Sequence, residues 1–192
     1  MNISTILFAE GDETTSIYEI VRGMLRLVKL LPDGRRQITG FLSAGHLLGL
    51  APEGVRVYTA EAVTKVMLRR YGRADFERQI EEVPGFSKRL LIVTSHELRA
   101  AQDQMLLLGR MTAMERVATF LLLLAKANDG DGELDVDLPM TRSDIADYLG
   151  LTIETVSRTL TIMKQTGLIA LSKATHIKIR SCDRLKKLAA GN

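Results

Sequence analysis

Residues 138–169 read LPMTRSDIADYLGLTIETVSRTLTIMKQTGLI, and this stretch decides how the chain is to be read. Thr141 stands where a helix N-cap belongs, and Thr141-Arg-Ser-Asp144 has capping-box spacing. Ile145, Ala146 and Leu149 give the first helix one apolar face. Gly150 follows, the residue that tolerates a left-handed turn after a helix. Thr152 is placed to cap a second helix, whose inner side is Val156, Leu160 and Met163. Its outer side carries Ile153, Glu154, Ser157 and Arg158. A core has no use for three polar groups on the first turns of a short helix. A DNA major groove does, because base edges present donors and acceptors there. The same i, i+4 spacing also suits an ordinary surface ion pair between Glu154 and Arg158.

The flanking sequence favours the DNA reading. Leu168, Ile169 and Leu171 begin a β-like segment, Ser172 to Thr175 is a polar turn, and Ile177 and Ile179 alternate with Lys178 and Arg180. This pattern predicts a hairpin wing beside the helix pair. From Leu138 onward nine basic and four acidic residues give +5, against a chain total of +3. A basic C-terminal segment suits phosphate contacts.

The rest of the composition narrows the class. A length of 192 residues allows two small domains. Cys182 is the sole cysteine, so neither an internal disulfide nor a zinc or iron–sulfur site can be built from cysteine, and the chain reads as cytoplasmic. The longest apolar run, around Val117 to Ala125, is well short of the ~20 residues that span a bilayer. The N-terminus lacks the pattern of a signal peptide. No cofactor is expected.

Residues 1–83 read as a β-roll of jelly-roll type. Short apolar runs are punctuated by Gly11, Gly23, Gly34, Gly40, Gly45, Gly49 and Gly54. Tyr18 to Val21 and Met24 to Leu30 suit strands, Leu31-Pro-Asp-Gly34 is a turn, Arg35 to Leu42 returns, and Thr59 to Arg69 reads as a strand pair or one long strand. Residues 84–110 read as one long helix, whose positions Leu90, Val93, Glu97, Ala100, Gln104 and Leu107 recur at helical spacing and are assigned to a homodimer seam. Leu91, Leu98 and Met105, on another flank, are expected to pack on the chain's own roll. Residues 111–192 form the winged helix-turn-helix. Thr112-Ala-Met-Glu115 is a second capping box, and Val117, Phe120, Leu121 and Leu124 are the buried stripe of the helix that follows. Asn128 to Asp137 reads as an acidic loop. The fold class is α+β.

This layout resembles the CRP/FNR family of bacterial transcription regulators, over almost the whole chain. In the roll the resemblance rests on Gly11-Asp12, Tyr18-Glu-Ile-Val-Arg-Gly23, Gly45 and Gly49. At the end of the long helix it rests on Met105-Leu-Leu-Leu-Gly-Arg-Met-Thr-Ala-Met-Glu-Arg116, and in the reader on the run from Thr141 to Arg158. It implies a cyclic-nucleotide-binding-like roll, a dimerisation helix, double-stranded DNA as partner, and RNA polymerase contacted through the Asn128–Asp137 loop, the roll, or both. Family members usually carry a helix and strand before the first motif, so the resemblance also implies a segment ahead of Met1.

The departures refine it. Members that bind cyclic AMP hold ribose and phosphate with Gly-Glu and Arg-Ser; here those places read Gly49-Leu50 and Arg56-Val57. The cysteines that hold an iron–sulfur cluster are absent. The resemblance therefore points to the FixK branch, acting without either cofactor in a response to oxygen limitation. Glu154, Ser157 and Arg158 match the FNR-type Glu-x-x-Ser-Arg reader, which implies a palindromic TTGA...TCAA site. By chemistry Arg158 can fork to guanine and Glu154 can accept from cytosine N4, with Ile153 and Ser157 at thymine. Thr141, Arg142, Thr152 and Thr155, near helix N-termini, and Lys178, in the wing, suit phosphates. Two other readings stand beside this one. The chain could be an effector-gated regulator with a different ligand in the roll. A cupin-like enzyme would instead need clustered histidines, and His46, His96 and His176 fall in three separate segments. Cys182 could serve as an oxidation switch if it were exposed near DNA.

Overall fold

A computed structural model describes residues 1–50, 54–125, 133–173 and 175–191. The chain divides into two units, Met1–Ala101 and Gln102–Asn192.

The first unit is a β-roll followed by helices. Strands β1 (Ile6–Phe8), β2 (Ser16–Arg22), β3 (Leu25–Leu30), β4 (Arg36–Leu42), β5 (Leu47–Leu48), β6 (Thr59–Ala62) and β7 (Met67–Gly72) form two antiparallel sheets, ordered β1-β6-β3-β4 and β5-β2-β7. The turn at residues 31–34 closes as the sequence predicts, with the Leu31 and Arg35 backbones paired and Leu30 opposite Arg36. The consecutive strands β2 and β3 lie in different sheets. The chain crosses at Gly23, whose φ is +94° and where a Cβ would collide with the Lys65 carbonyl. Likewise β6 and β7 are two strands, in different sheets. Phe8, Ile20, Leu25, Leu48, Ala60, Ala62 and Val66 fill the space between.

Helix α1 (Arg73–Glu82) is not announced by the sequence pattern. Six of the ten residues of RADFERQIEE are charged, and Phe76 and Ile80 give it only a short apolar side. Phe76 alone is buried, and its ring meets Tyr71 and Phe86 edge-on at 5.7 and 5.4 Å.

Helix α2 (Phe86–Arg110) has the expected length, but the flank expected to pack on the roll is exposed. Leu90, Val93, Glu97 and Gln104 are half-buried and Leu107 fully buried within this one chain, and Ala100 is exposed. Leu91, Leu98 and Met105, expected on the roll, are 67%, 61% and 65% exposed. Both rows are apolar at helical spacing, and periodicity alone cannot say which meets the chain's own core.

The second unit contains α3 (Ala113–Ala125), β8 (Leu134–Asp137), α4 (Arg142–Leu149), α5 (Ile153–Gln165), β9 (Ile169–Lys173), β10 (His176–Ile179) and α6 (Cys182–Ala189). The capping box of α3 is present, Thr112 N–H donating to Glu115 and Glu115 N–H to the Thr112 hydroxyl. Val117, Phe120 and Leu121 are buried, and the Phe120 ring lies tilted against that of Tyr148 at 5.5 Å. Part of the expected acidic loop, Leu134–Asp137, is instead a strand. Val136 is buried opposite Ile177, and the third sheet runs β8-β10-β9. Residues 128–132 of that expected loop lie outside the described residues. Cys182 is buried in the first turn of α6. The exposure that an oxidation switch requires is therefore missing.

Candidate nucleic-acid interface

The two helices of the reader are held by the predicted devices. The Thr141 hydroxyl accepts from Asp144 N–H (3.1 Å), and the Asp144 carboxylate accepts from Thr141 N–H (3.0 Å) and Oγ1–H (2.8 Å). Gly150 sits in the left-handed region at φ 62°, ψ 41°, ending α4. Thr152 then caps α5 by accepting from Thr155 N–H at 3.2 Å, and the two hydroxyls lie 3.0 Å apart. Val156, Leu160 and Met163 turn inward with Ile145, Ala146 and Leu149.

This leaves the outer side of α5 open. Ile153, Glu154, Ser157 and Arg158 are exposed. Among the described residues, the side chains of Glu154, Ser157 and Arg158 make no ion pair or hydrogen bond. The ion pair that would have made Glu154 and Arg158 ordinary surface residues does not form. Around this row, Thr141 and Thr152 are exposed, Thr155 is half-buried, and Arg142 is half-buried with its pKa lowered by desolvation.

Arg116 supports the reader, a role the sequence reading does not assign. Its guanidinium donates to three carbonyls: Met111 (2.8 Å), Leu149 (2.8 Å) and Leu108 (3.0 Å). A cation at the C-terminal carbonyls of α4 and near the end of α2 matches the negative ends of both helix dipoles. Gln104 adds a bond to the Tyr148 carbonyl at 2.8 Å. The signal is present in the motif that ends at Arg116, but a residue type does not reveal which carbonyls it will meet.

The wing differs from expectation. Ile177 and Ile179 face inward, and His176 and Lys178 outward. Lys178 Nζ lies 2.5 Å from Glu133, the residue before β8. His176 bonds Asp137 through Nδ1 at 2.9 Å and Asp135 through Nε2 at 3.1 Å. These bonds, that to Asp137 foremost, raise the His176 pKa above its ordinary value. Bonding to Glu133 likewise raises that of Lys178. A basic count that begins at Leu138 leaves these carboxylates out; counted from Glu133 the segment is +2.

In the roll, Arg56 is 6% exposed and lies over the Phe8 ring at 4.3 Å. It donates to the Ser16 carbonyl at 2.5 Å, and a Cβ at Gly49 would collide with its guanidinium. His46 bonds the Ser43 carbonyl of its own turn. Among the described residues no group of three or more His, Cys, Asp or Glu is placed to hold a metal ion, and no helix is long and apolar enough to cross a membrane.

Comparison with known proteins agrees with this anatomy. Residues 4–83 match the cyclic nucleotide-binding domain family and residues 115–188 the Crp-like helix-turn-helix domain family. The chain is 48% identical to the nitrogen fixation regulation protein FixK of Bradyrhizobium diazoefficiens, over 96% of this chain and 78% of that one. It is 46% identical to the transcriptional activatory protein AadR of Rhodopseudomonas palustris, over 96% and 77%. The solved structure of FixK2 from Bradyrhizobium japonicum superposes with a TM-score of 0.88 at 40% identity, covering 97% of this chain and 93% of that one.

Proposed function

Because the chain belongs to the CRP/FNR family of bacterial transcription regulators, and within it resembles FixK, we propose that it is a homodimeric DNA-binding transcription activator. The observation that carries this is the open face of α5, with Glu154, Ser157 and Arg158 uncommitted to any intramolecular partner among the described residues. Buried in a major groove, such groups exchange water for base edges without first breaking a protein contact. Arg158 reads guanine, Glu154 reads cytosine on the other strand, and Ile153 and Ser157 meet thymine. Thr141, Arg142, Thr152 and Thr155 hold phosphates beside them. The site is a palindrome of TTGA and TCAA half-sites about one helical turn apart. The setting is a response to oxygen limitation, which rests on the FixK resemblance, and RNA polymerase is the further partner.

The dimer seam belongs on the exposed side of α2. Leu91, Leu98 and Met105 recur every seven residues, with Thr94, Ala101 and Leu108 in the intervening places, which is the heptad pattern of a two-helix seam. An apolar stripe of this length left in water is the mark of an interface. The Thr94 hydroxyl is already bonded to the Leu90 and Leu91 carbonyls, so it approaches a partner helix with its polar group satisfied.

Binding needs no small molecule. Supporting this, the Arg56 guanidinium lies over the Phe8 ring and donates through Nη2 to the Ser16 carbonyl, and the glutamate and serine of the nucleotide-binding pattern are missing. One observation favours the second reading, an effector-gated regulator. Among the described residues Arg56 Nε and Nη1 and Glu97 Oε1 are buried without a hydrogen-bond partner, and a ligand in the roll would supply one. Titrating the purified chain onto a TTGA...TCAA duplex, with and without cyclic AMP, separates the two. Tight binding that changes less than about twofold on adding nucleotide, under ~0.5 kcal/mol, is expected. A tenfold gain selects the gated reading.

A further inference from the structure

We propose that Glu133, Asp135 and Asp137 act as a built-in competitor for DNA phosphates, holding the wing cations and so lowering the affinity for any duplex irrespective of sequence. This rests on the DNA-binding reading of α5 and goes beyond it. The geometry carries it. In the antiparallel register of β8 and β10, Asp137 stands opposite His176 and Asp135 opposite Lys178. The pleat that buries Val136, Ile177 and Ile179 therefore puts these charges together on the outer face. Both His176 nitrogens are engaged by carboxylates, and Lys178 is in contact with a third.

The pairs are poorly suited to holding the fold. The Lys178 and Glu133 side chains are 42% and 53% exposed, and that of Asp137 is 87% exposed. Exposed pairs of this kind add little to stability, so the cations are available for exchange. A phosphate oxygen offers Lys178 the same chemistry as the Glu133 carboxylate: an anionic acceptor at hydrogen-bond distance. A duplex that reaches the wing must displace Glu133, and it then meets Asp135 and Asp137, which repel its backbone. The α5 face carries no such obstacle. The strand thus restrains the sequence-independent part of binding and leaves base reading untouched, because phosphates carry no sequence information.

The test is a double-mutant cycle in the full chain with Glu133→Gln, Lys178→Ala and both together. Affinity is read by fluorescence anisotropy on the palindrome and on a scrambled duplex, over a series of salt concentrations. Glu133→Gln is expected to raise affinity for both duplexes by a similar factor, about threefold at low salt. It should also steepen the salt slope by about 0.9, the increment for neutralising one more phosphate. Lys178→Ala is expected to abolish that gain. Asp135→Asn with Asp137→Asn is expected to add a further gain by removing the two carboxylates that repel the DNA backbone. A Glu133→Gln gain that persists without Lys178 shows a general charge effect and overturns the proposal, as does no gain at all. Wild-type chain that binds neither duplex overturns the DNA-binding reading itself, which separates the two failures.

Discussion

The recognition helix and the wing carry cations that look equivalent in the sequence, yet the structure treats them oppositely. Arg158 projects from α5 without a carboxylate partner among the described residues, whereas Lys178 and His176 on β10 are bonded to Glu133, Asp135 and Asp137. The difference comes from what lies across the backbone from each. A helix surface offers Arg158 only its own i±3 and i±4 neighbours, and Glu154 does not close on it. A strand places every outward residue directly opposite another, so Asp137 and Asp135 of β8 fall opposite His176 and Lys178 of β10 by register, with Glu133 just ahead of the strand. A positive residue is available to DNA only to the extent that its own fold leaves it unspent.

The hardest blow to this comparison removes the pairing that lets both regions act twice on one site. Leu98→Glu places a charge in the proposed seam of each protomer. Operator affinity is expected to fall on the order of a thousandfold, ~4 kcal/mol, towards that of sequence-independent binding. Sedimentation should show the variant as a monomer where the wild type is a dimer. Ala100→Glu, off the heptad row on the same exposed part of the helix, is expected to leave the dimer intact. If Ala100→Glu dissociates the dimer and Leu98→Glu does not, the seam has been placed on the wrong side of α2.

Arg158→Ala strikes only one side of the comparison. It is expected to cost about 1–3 kcal/mol per half-site and to flatten the preference at the guanine position. A base-substitution binding series on both proteins at fixed salt measures this. Full guanine discrimination in the variant would remove α5 from the role of reader.

Local devices are legible in the sequence, and choices between equivalent partners are not. The caps at Thr112, Thr141 and Thr152, the left-handed Gly150, the hairpin turn at residues 31–34 and the inward rows of α4 and α5 depend on residues within a turn or two, and the structure shows each of them. The faces of α2 depend on what packs against them. Leu90, Val93 and Leu107 and Leu91, Leu98 and Met105 are two apolar rows of similar strength, and only the fold shows which is covered. The strand β8 is hidden because the charges of Glu133, Asp135 and Asp137 make the segment look like a loop, while Leu134 and Val136 give only two alternating apolar positions. Arg116 is visible as a motif residue, but its bond to the Leu149 carbonyl joins it to a distant part of the chain.

On the wing, Lys178→Ala in an otherwise unaltered chain is expected to change affinity by less than about twofold on any duplex and to leave the salt slope nearly as it was, because the lysine removed was already neutralised by Glu133. A slope that falls by the full increment of one phosphate would show that Lys178 reaches DNA despite its partner, and the contrast with Arg158 would vanish.

The smallest effect concerns His176 and is read by pH. Its pKa is raised in the folded chain, first by the hydrogen bond to Asp137 and then by that to Asp135. The charged imidazole is therefore favoured by folding. The stability it contributes is fully present below the unfolded-state value near 6.5 and is lost as pH rises through the higher folded-state value. The wing sheet is expected to be most firmly held in mild acid and to relax toward neutral and basic pH, as the neutral ring can donate to one aspartate only. Lys178, on the same face, has its pKa raised further above this range by the bond to Glu133, so the change belongs to the histidine. An NMR titration of the His176 ring should give a midpoint above that of a histidine in an unfolded peptide, and Asp137→Asn should lower it more than Asp135→Asn. The advantage in melting temperature of wild type over His176→Gln should be present at about pH 5.5 and absent at about pH 9. A midpoint that neither aspartate variant moves would mean that the carboxylates do not hold the ring. The wing would then present its histidine as openly as α5 presents Arg158.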